Sequence, residues 1–223
     1  MRWNWKRDAI AFSSIFASLA LSWYFYAALP ERVPSHFSLE GTADSYTSKE
    51  FLILMGLGFQ VVMYILLTFL PRIDPFWKTI QSRYSVLLLF RDIIMLFMLF
   101  LFVSTFLSAR AGRLDMNLFG FGLGLLFILM GNYLPRLPRN TFVGIRVPWT
   151  ITSDIVWRKT HLVGGWLFVA GGVVICVLSL FGLPMHIVLL SVLVPVFMFI
   201  GIFYPYALFR KLQREGKSPT PDV

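Results

Sequence analysis

Residues 86–107 read VLLLFRDIIMLFMLFLFVSTFL. As an α-helix this run is about 33 Å long, enough to cross a hydrocarbon core of roughly 30 Å. Five further apolar runs flank it: about 9–29 and 51–70 before it, and 116–134, 163–182 and 186–209 after it. The fourth, Met116 to Leu134, is short and Gly-rich, and only the turn Gly182-Leu-Pro184 separates the last two. Composition agrees with the runs. Hydrophobic residues are 57% of the 223, charged residues 14%, and mean hydropathy is +0.73. A soluble domain is about 45–50% apolar and about 25% charged. The fold class is therefore all-α: a polytopic membrane bundle of about six transmembrane helices, read as a single membrane domain over 1–223.

Net charge is +9, but the cations sit in the gaps between apolar runs rather than on one soluble face. This argues against direct nucleic-acid binding and for a topology signal facing the lipid bilayer and its anionic headgroups. With the N-terminus inside, the cytoplasmic segments hold Arg2, Lys6, Arg7, Arg72, Lys78, Arg83, Arg136, Arg139, Arg146, Arg158, Lys159, Arg210, Lys211, Arg214 and Lys217. The outside loops hold Arg32, Lys49, Arg110 and Arg113. That asymmetry predicts a bacterial plasma (inner) membrane protein with both termini cytoplasmic. The run Ala9 to Leu29 is too long for a signal-peptide core and ends in no small-residue cleavage site, so it reads as a retained span. Cys176 is the sole cysteine and lies in an apolar run. Intramolecular disulfides and thiolate metal sites are excluded, leaving a small buried apolar residue.

Two loops are long. The outer one, 30–50, is mildly acidic, and Pro30, Pro34 and Gly41 favour extended or turn structure. The inner one, 135–162, is basic and holds Trp149 and Trp157. In it Thr152 or Ser153 can cap a helix beginning at Asp154 that continues through His161 into span five, with a possible kink at Gly164-Gly165. The tail from Gly216 is expected to fray.

The most structured string in the chain lies in this inner loop: Asn140, Gly144-Ile-Arg146, Pro148-Trp149-Thr150, Trp157, Thr160-His161 and Gly164-Gly165. Physically it reads as an interfacial element, with Arg146, Arg158 and Lys159 meeting phosphates and Trp149 and Trp157 at headgroup depth. An anchoring loop without chemistry accounts for it equally well.

The same string closely resembles the C-terminal signature of the SdpI-like membrane family, named after an immunity protein against a secreted, membrane-active bacterial peptide toxin. A second stretch is similar to a short uncharacterised N-terminal membrane module often fused to that family. It runs Leu29-Pro30-Glu-Arg-Val33-Pro34-Ser-His36-Phe37, then Gly41, Asp44 and Ser48-Lys49. The resemblance implies a non-enzymatic immunity and signalling protein, whose partners would be an extracellular peptide toxin and a cytoplasmic repressor. Candidate ligand- or partner-binding residues are then His36, Glu40 and Asp44 outside, and Asn140, Gly144, Arg146, Trp149, Trp157, Thr160 and His161 inside.

Alternatives stay open beside it. His36, Glu40 and Asp44 recur at i, i+4, i+8 and could hold a metal if helical, which would suit a metal-dependent membrane hydrolase. Pro34 and Gly41 oppose a helix there, and a hydrogen-bonded loop is the plainer reading. Arg91-Asp92 in span three and Asn132 in span four are costly in hydrocarbon and could line a transporter or channel path. Snorkelling or pairing at the basic end explains the first two as well. Gly120-x-x-x-Gly124 and Gly131 offer span four a face for close helix approach, within the bundle rather than between copies. Metalloprotease, nucleophile-elbow and phosphate-loop motifs are absent, so no catalytic residue, metal or cofactor is assigned.

Overall fold

The computed structural model describes residues 7–216; Arg2, Lys6, Lys217 and the tail 217–223 lie outside the described residues. Its main elements, in order, are α1 (Ala9–Phe25), β1 (Arg32–Phe37), β2 (Ala43–Ser48), α2 (Lys49–Phe69), α3 (Trp77–Ile80), α4 (Tyr84–Ala111), α5 (Met116–Tyr133), α6 (Pro148–Ile151), α7 (Asp154–Ser179), α8 (Met185–Met198) and α9 (Tyr204–Arg214). With their flanking turns, six helical stretches are long and apolar enough to cross a membrane: Ala9–Ala28, Lys49–Ile73, Trp77–Ala111, Met116–Arg136, Asp154–Ser179 and Met185–Arg214. The chain is a multi-pass membrane protein. Its spans overrun the apolar runs because polar caps close them. The Ser48 side chain accepts from the Phe51 N–H, Asp115 from Asn117 and Leu118, and Ser153 from Val156. Gly112, at φ +71°, ends α4 in the left-handed conformation. The last span contains Pro195 and opens one π-helical turn at Phe199–Phe203, just before Pro205.

The spans form two groups. α1, α2 and α4 pack together, α5, α7 and α8 pack together, and α4 against α5 joins them. The α5–α7 contact is the most extensive and rests on glycines. A Cβ on Gly124 would sit 2.7 Å from the Gly172 carbonyl oxygen, and one on Gly131 would sit 2.8 Å from that of Gly165. The small-residue face of α5 therefore serves packing within the bundle. It also explains Gly165, since α7 runs unbroken past the expected kink at Gly164-Gly165. The largest apolar cluster lies at the arginine-rich end, where Tyr84, Leu87 and Phe90 meet Leu134, Leu137 and Trp157.

In the first group α1 and α2 turn small and polar residues inward, against the apolar Met95, Met98, Phe102 and Phe106 of α4. The buried residues of α1 are Ala11, Ser14, Ser18 and Ser22, and those of α2 are Gln60, Tyr64 and Thr68. Their large apolar side chains face outward, as hydrocarbon solvent permits.

Arg91 closes this seam at the arginine-rich end, and of the two expectations for it pairing holds and snorkelling does not. Arg91 is 0% exposed. Its Nε and Nη2 donate to Asp92 Oδ1, its Nη1 to Asp8 Oδ1 and Thr68 Oγ1, and its Nη2 also to the Arg7 carbonyl. All five guanidinium N–H groups are used. Water was not needed because α1, α2 and α4 together supply every acceptor. Asn132 is simpler: it is exposed on α5 and its Nδ2 donates to the Ile128 carbonyl of its own helix.

At the opposite end the loop 30–50 is an antiparallel hairpin, β1 against β2, with an irregular register around His36. Gly41 (φ +84°) makes its turn and its carbonyl accepts from Leu114 N–H, docking the hairpin on the α4–α5 connection.

Candidate functional site

The signature loop is built around Asn140. Its Nδ2 donates to the Pro138 and Val143 carbonyls, and its Oδ1 accepts from the Phe142 and Val143 N–H groups. A buried amide that fills four hydrogen bonds replaces the secondary structure the loop lacks. Next to it, the Thr141 N–H and hydroxyl both donate to Asp74 Oδ2, at 2.7 and 2.9 Å. Asp74 follows α2, so the loop is tied to the end of a helix about seventy residues upstream.

Gly144 (φ +115°) then turns the chain against α7, where a Cβ would lie 2.5 Å from His161 Nε2. The Ile145 N–H donates to His161 Nε2 at 3.0 Å, and His161 Nδ1 faces the Trp157 carbonyl at 2.8 Å. A carbonyl only accepts, so Nδ1 carries the proton and Nε2 keeps its lone pair: both bonds require a neutral imidazole. The Trp157 ring stacks on it, with centroids 4.0 Å apart, and its Nε1 donates to the Leu137 carbonyl. The Thr150 hydroxyl bridges Ile145 and Val147, and Arg146 donates to the Thr141 carbonyl while remaining exposed.

Trp157 is thus not a headgroup anchor. It is 1% exposed, because the interior of the loop and the start of α7 enclose it. Asn140, Thr160 and His161 are buried as well, so these four shape the loop and present no side chain to a partner. Of the inner candidates, Arg146 is exposed and Trp149 is half-buried, packed edge-on against Tyr206 of α9.

At the hairpin end His36 Nδ1 and Asp44 Oδ1 meet at 2.6 Å across the two strands. Glu40 is not with them; it lies in the turn beside Arg113 and His186. The hairpin brings i and i+8 together across its strands and leaves i+4 at the turn, so the three candidates do not converge. No group of three metal-capable side chains occurs among the described residues.

A third feature has no sequence motif. Between α2 and α4 a groove of about 310 Å³ is bounded by Met55, Gly56, Phe59, Met98, Phe102 and Thr105 and reaches Gln60. The Gln60 Nε2 donates to Ser18 Oγ at 2.8 Å, while its Oε1 is buried without a hydrogen-bond partner among the described residues. Asp8, Gln60, Thr68 and Asp74 all escaped the sequence reading. The helical spacing of Gln60, Tyr64 and Thr68 down one face of α2 could have signalled two of them, and Asp8 and Asp74 carry no such signal.

Comparison with known proteins gives two domains and one near-full-length relative. Residues 136–207, holding the signature loop, α7, α8 and the start of α9, match the SdpI/YfhL protein family. Residues 14–59, holding most of α1, the hairpin and the first half of α2, match a domain of unknown function (DUF1648). The chain is 26% identical over 208 residues to "Immunity protein SdpI" of Bacillus subtilis (strain 168), covering 93% of this chain and 98% of that protein. No solved structure matches it.

Proposed function

We propose that this chain, which carries an SdpI/YfhL-family domain behind a DUF1648 module, is a non-enzymatic immunity protein that protects a bacterial plasma membrane against a secreted, membrane-active peptide. The observation that carries the reading is its likeness, across nearly the whole of both chains, to an immunity protein. We place both termini in the cytoplasm, from the excess of Lys and Arg at the signature end. A periplasmic-active reporter enzyme fused after Val223 stays silent on this reading and becomes active on the reverse one.

The α2–α4 groove is our candidate for the peptide's seat. Gln60 lies about 17 Å along α2 from Lys49, near mid-membrane depth. A buried acceptor there without a partner costs on the order of 1–3 kcal/mol. An acyl chain has no donor to offer, and a lipid headgroup does not reach that depth. An apolar peptide helix bearing a hydroxyl or amide donor supplies both the groove filling and the missing bond. Movement of α2 on binding would reach the signature loop through Asp74 and Thr141, the route by which occupancy is reported to a cytoplasmic repressor.

The test is survival of a sensitive bacterial host, with and without the chain, against a panel of membrane-active peptides, at matched membrane levels of the protein. Protection against one peptide, lost in Gln60→Leu, supports the reading and the groove. Protection retained in Gln60→Leu removes the groove from it. No protection by the inserted parent chain overturns the immunity reading and favours transport.

A further inference from the structure

Three arginines from three separate segments line one open pocket at the signature end. Arg83 comes from the turn before α4, Arg139 from the signature loop and Arg158 from the second turn of α7, and the pocket holds about 430 Å³. Asp154 is the acidic residue among the lining side chains, and it is paired with Arg139 at 3.1 Å. Arg139 is further held by the Phe76 ring, 4.5 Å away. Arg83 and Arg158 make no hydrogen bond or ion pair among the described residues. Two guanidiniums are therefore uncompensated in a recess whose third is fixed in place.

The rest of the lining says what kind of anion fits. Thr79 and Ser82 bring hydroxyls, and the half-buried Pro135 forms the apolar wall, with the enclosed Leu137 and Trp157 behind it. Guanidinium forks match the oxygens of a phosphate, and hydroxyls add donors to it. The apolar wall suits the glycerol and first methylenes that follow. Depth agrees. Arg83 directly precedes α4, and Arg158 lies one turn before the apolar run of α7 that starts at Leu162. Both sit where the spans leave the hydrocarbon, which is headgroup level.

We propose that the pocket bounded by Arg83, Arg139 and Arg158 binds the phosphate of an anionic phospholipid headgroup. The site is independent of the immunity reading. It packs against Trp157 and Leu137, so an occupied pocket braces the signature loop from outside just as His161 braces it from inside. A zwitterionic lipid carries the same phosphate but brings its own cation toward the arginines, so the site discriminates by net charge.

The test uses the purified full chain in detergent, with its melting temperature followed by reaction of Cys176 with a fluorogenic maleimide. Phosphatidylglycerol, phosphatidylcholine and inorganic phosphate are titrated separately. The expected result is stabilisation by phosphatidylglycerol alone. Arg83→Gln/Arg158→Gln should weaken it on the order of 100-fold, from the loss of two charge-assisted guanidinium–phosphate contacts. The lipid-free melting temperature of that variant should be unchanged, because neither side chain has a protein partner. Arg210→Gln/Arg214→Gln, which removes two cations from the same end outside the pocket, should leave the titration as in the parent. Equal weakening by both double variants would overturn the pocket in favour of diffuse surface charge. Equal stabilisation by inorganic phosphate would overturn the lipid as its occupant.

Discussion

Replacing Arg91 by Leu should be among the most damaging single changes in the chain. The side chain is fully buried and its five donors serve two carboxylates, one hydroxyl and one backbone carbonyl. Leu leaves Asp8 and Asp92 facing each other without a cation in a site closed to water. Removing one partner of a buried ionic cluster costs about 3–5 kcal/mol. At roughly 2–4 °C per kcal/mol for a chain of this size, the melting temperature should fall by about 6–20 °C. Cys176 is a built-in reporter. As the sole cysteine, half-buried, it packs against Gly124 and donates to the Phe121 carbonyl, so unfolding frees it and speeds its reaction with a fluorogenic maleimide. Arg91→Lys keeps the charge but loses the fork onto Asp92 and should fall between. The diagnostic variant is Arg91→Leu with Asp8→Asn and Asp92→Asn. With every formal charge gone from the cluster, most of the loss should return. If Arg91→Leu melts within about 2 °C of the parent, or the triple variant is no better than the single, the ionic clamp is not what holds α1 to α4.

Two further outcomes test the signature loop. Gly144→Ala forces a side chain onto a φ of +115° and into His161 Nε2, and should cost about 2–3 kcal/mol by the same thiol-reaction melt; a parent-like melt would mean the loop does not seat on His161. Trp157→Ala should cost about 3–5 kcal/mol, and Trp149→Ala clearly less, because Trp157 alone is fully enclosed; equal melting temperatures would contradict the burial difference.

Span count, the extended and turn character of loop 30–50 and a helix capped by Thr152 or Ser153 were legible because each rests on a local property: run length, proline and glycine backbone limits, and capping chemistry; the strand pairing of that loop was not. The signature string was legible as a unit, and its residues do converge. Their roles were not. Tryptophan in a basic loop between spans reads as a headgroup anchor, and Trp149 and Trp157 are alike in sequence. Which of them is enclosed depends on Leu137, His161 and the return of the loop over α7. Arg91 likewise reads as a snorkelling or locally paired cation until Asp8, far away in the chain, is seen to meet it.

The sequence alone determined that this chain lives in hydrocarbon, with six spans and its cations gathered between them, because hydropathy and charge are summed residue by residue. Only the tertiary structure decided which polar groups are satisfied. It set Arg91 in a closed clamp, tied Asp74 to Thr141, held His161 neutral between two backbone groups and left Gln60 with an open acceptor. A hydrogen bond is a relation between two positions, and no periodicity along one strand of sequence records its second member.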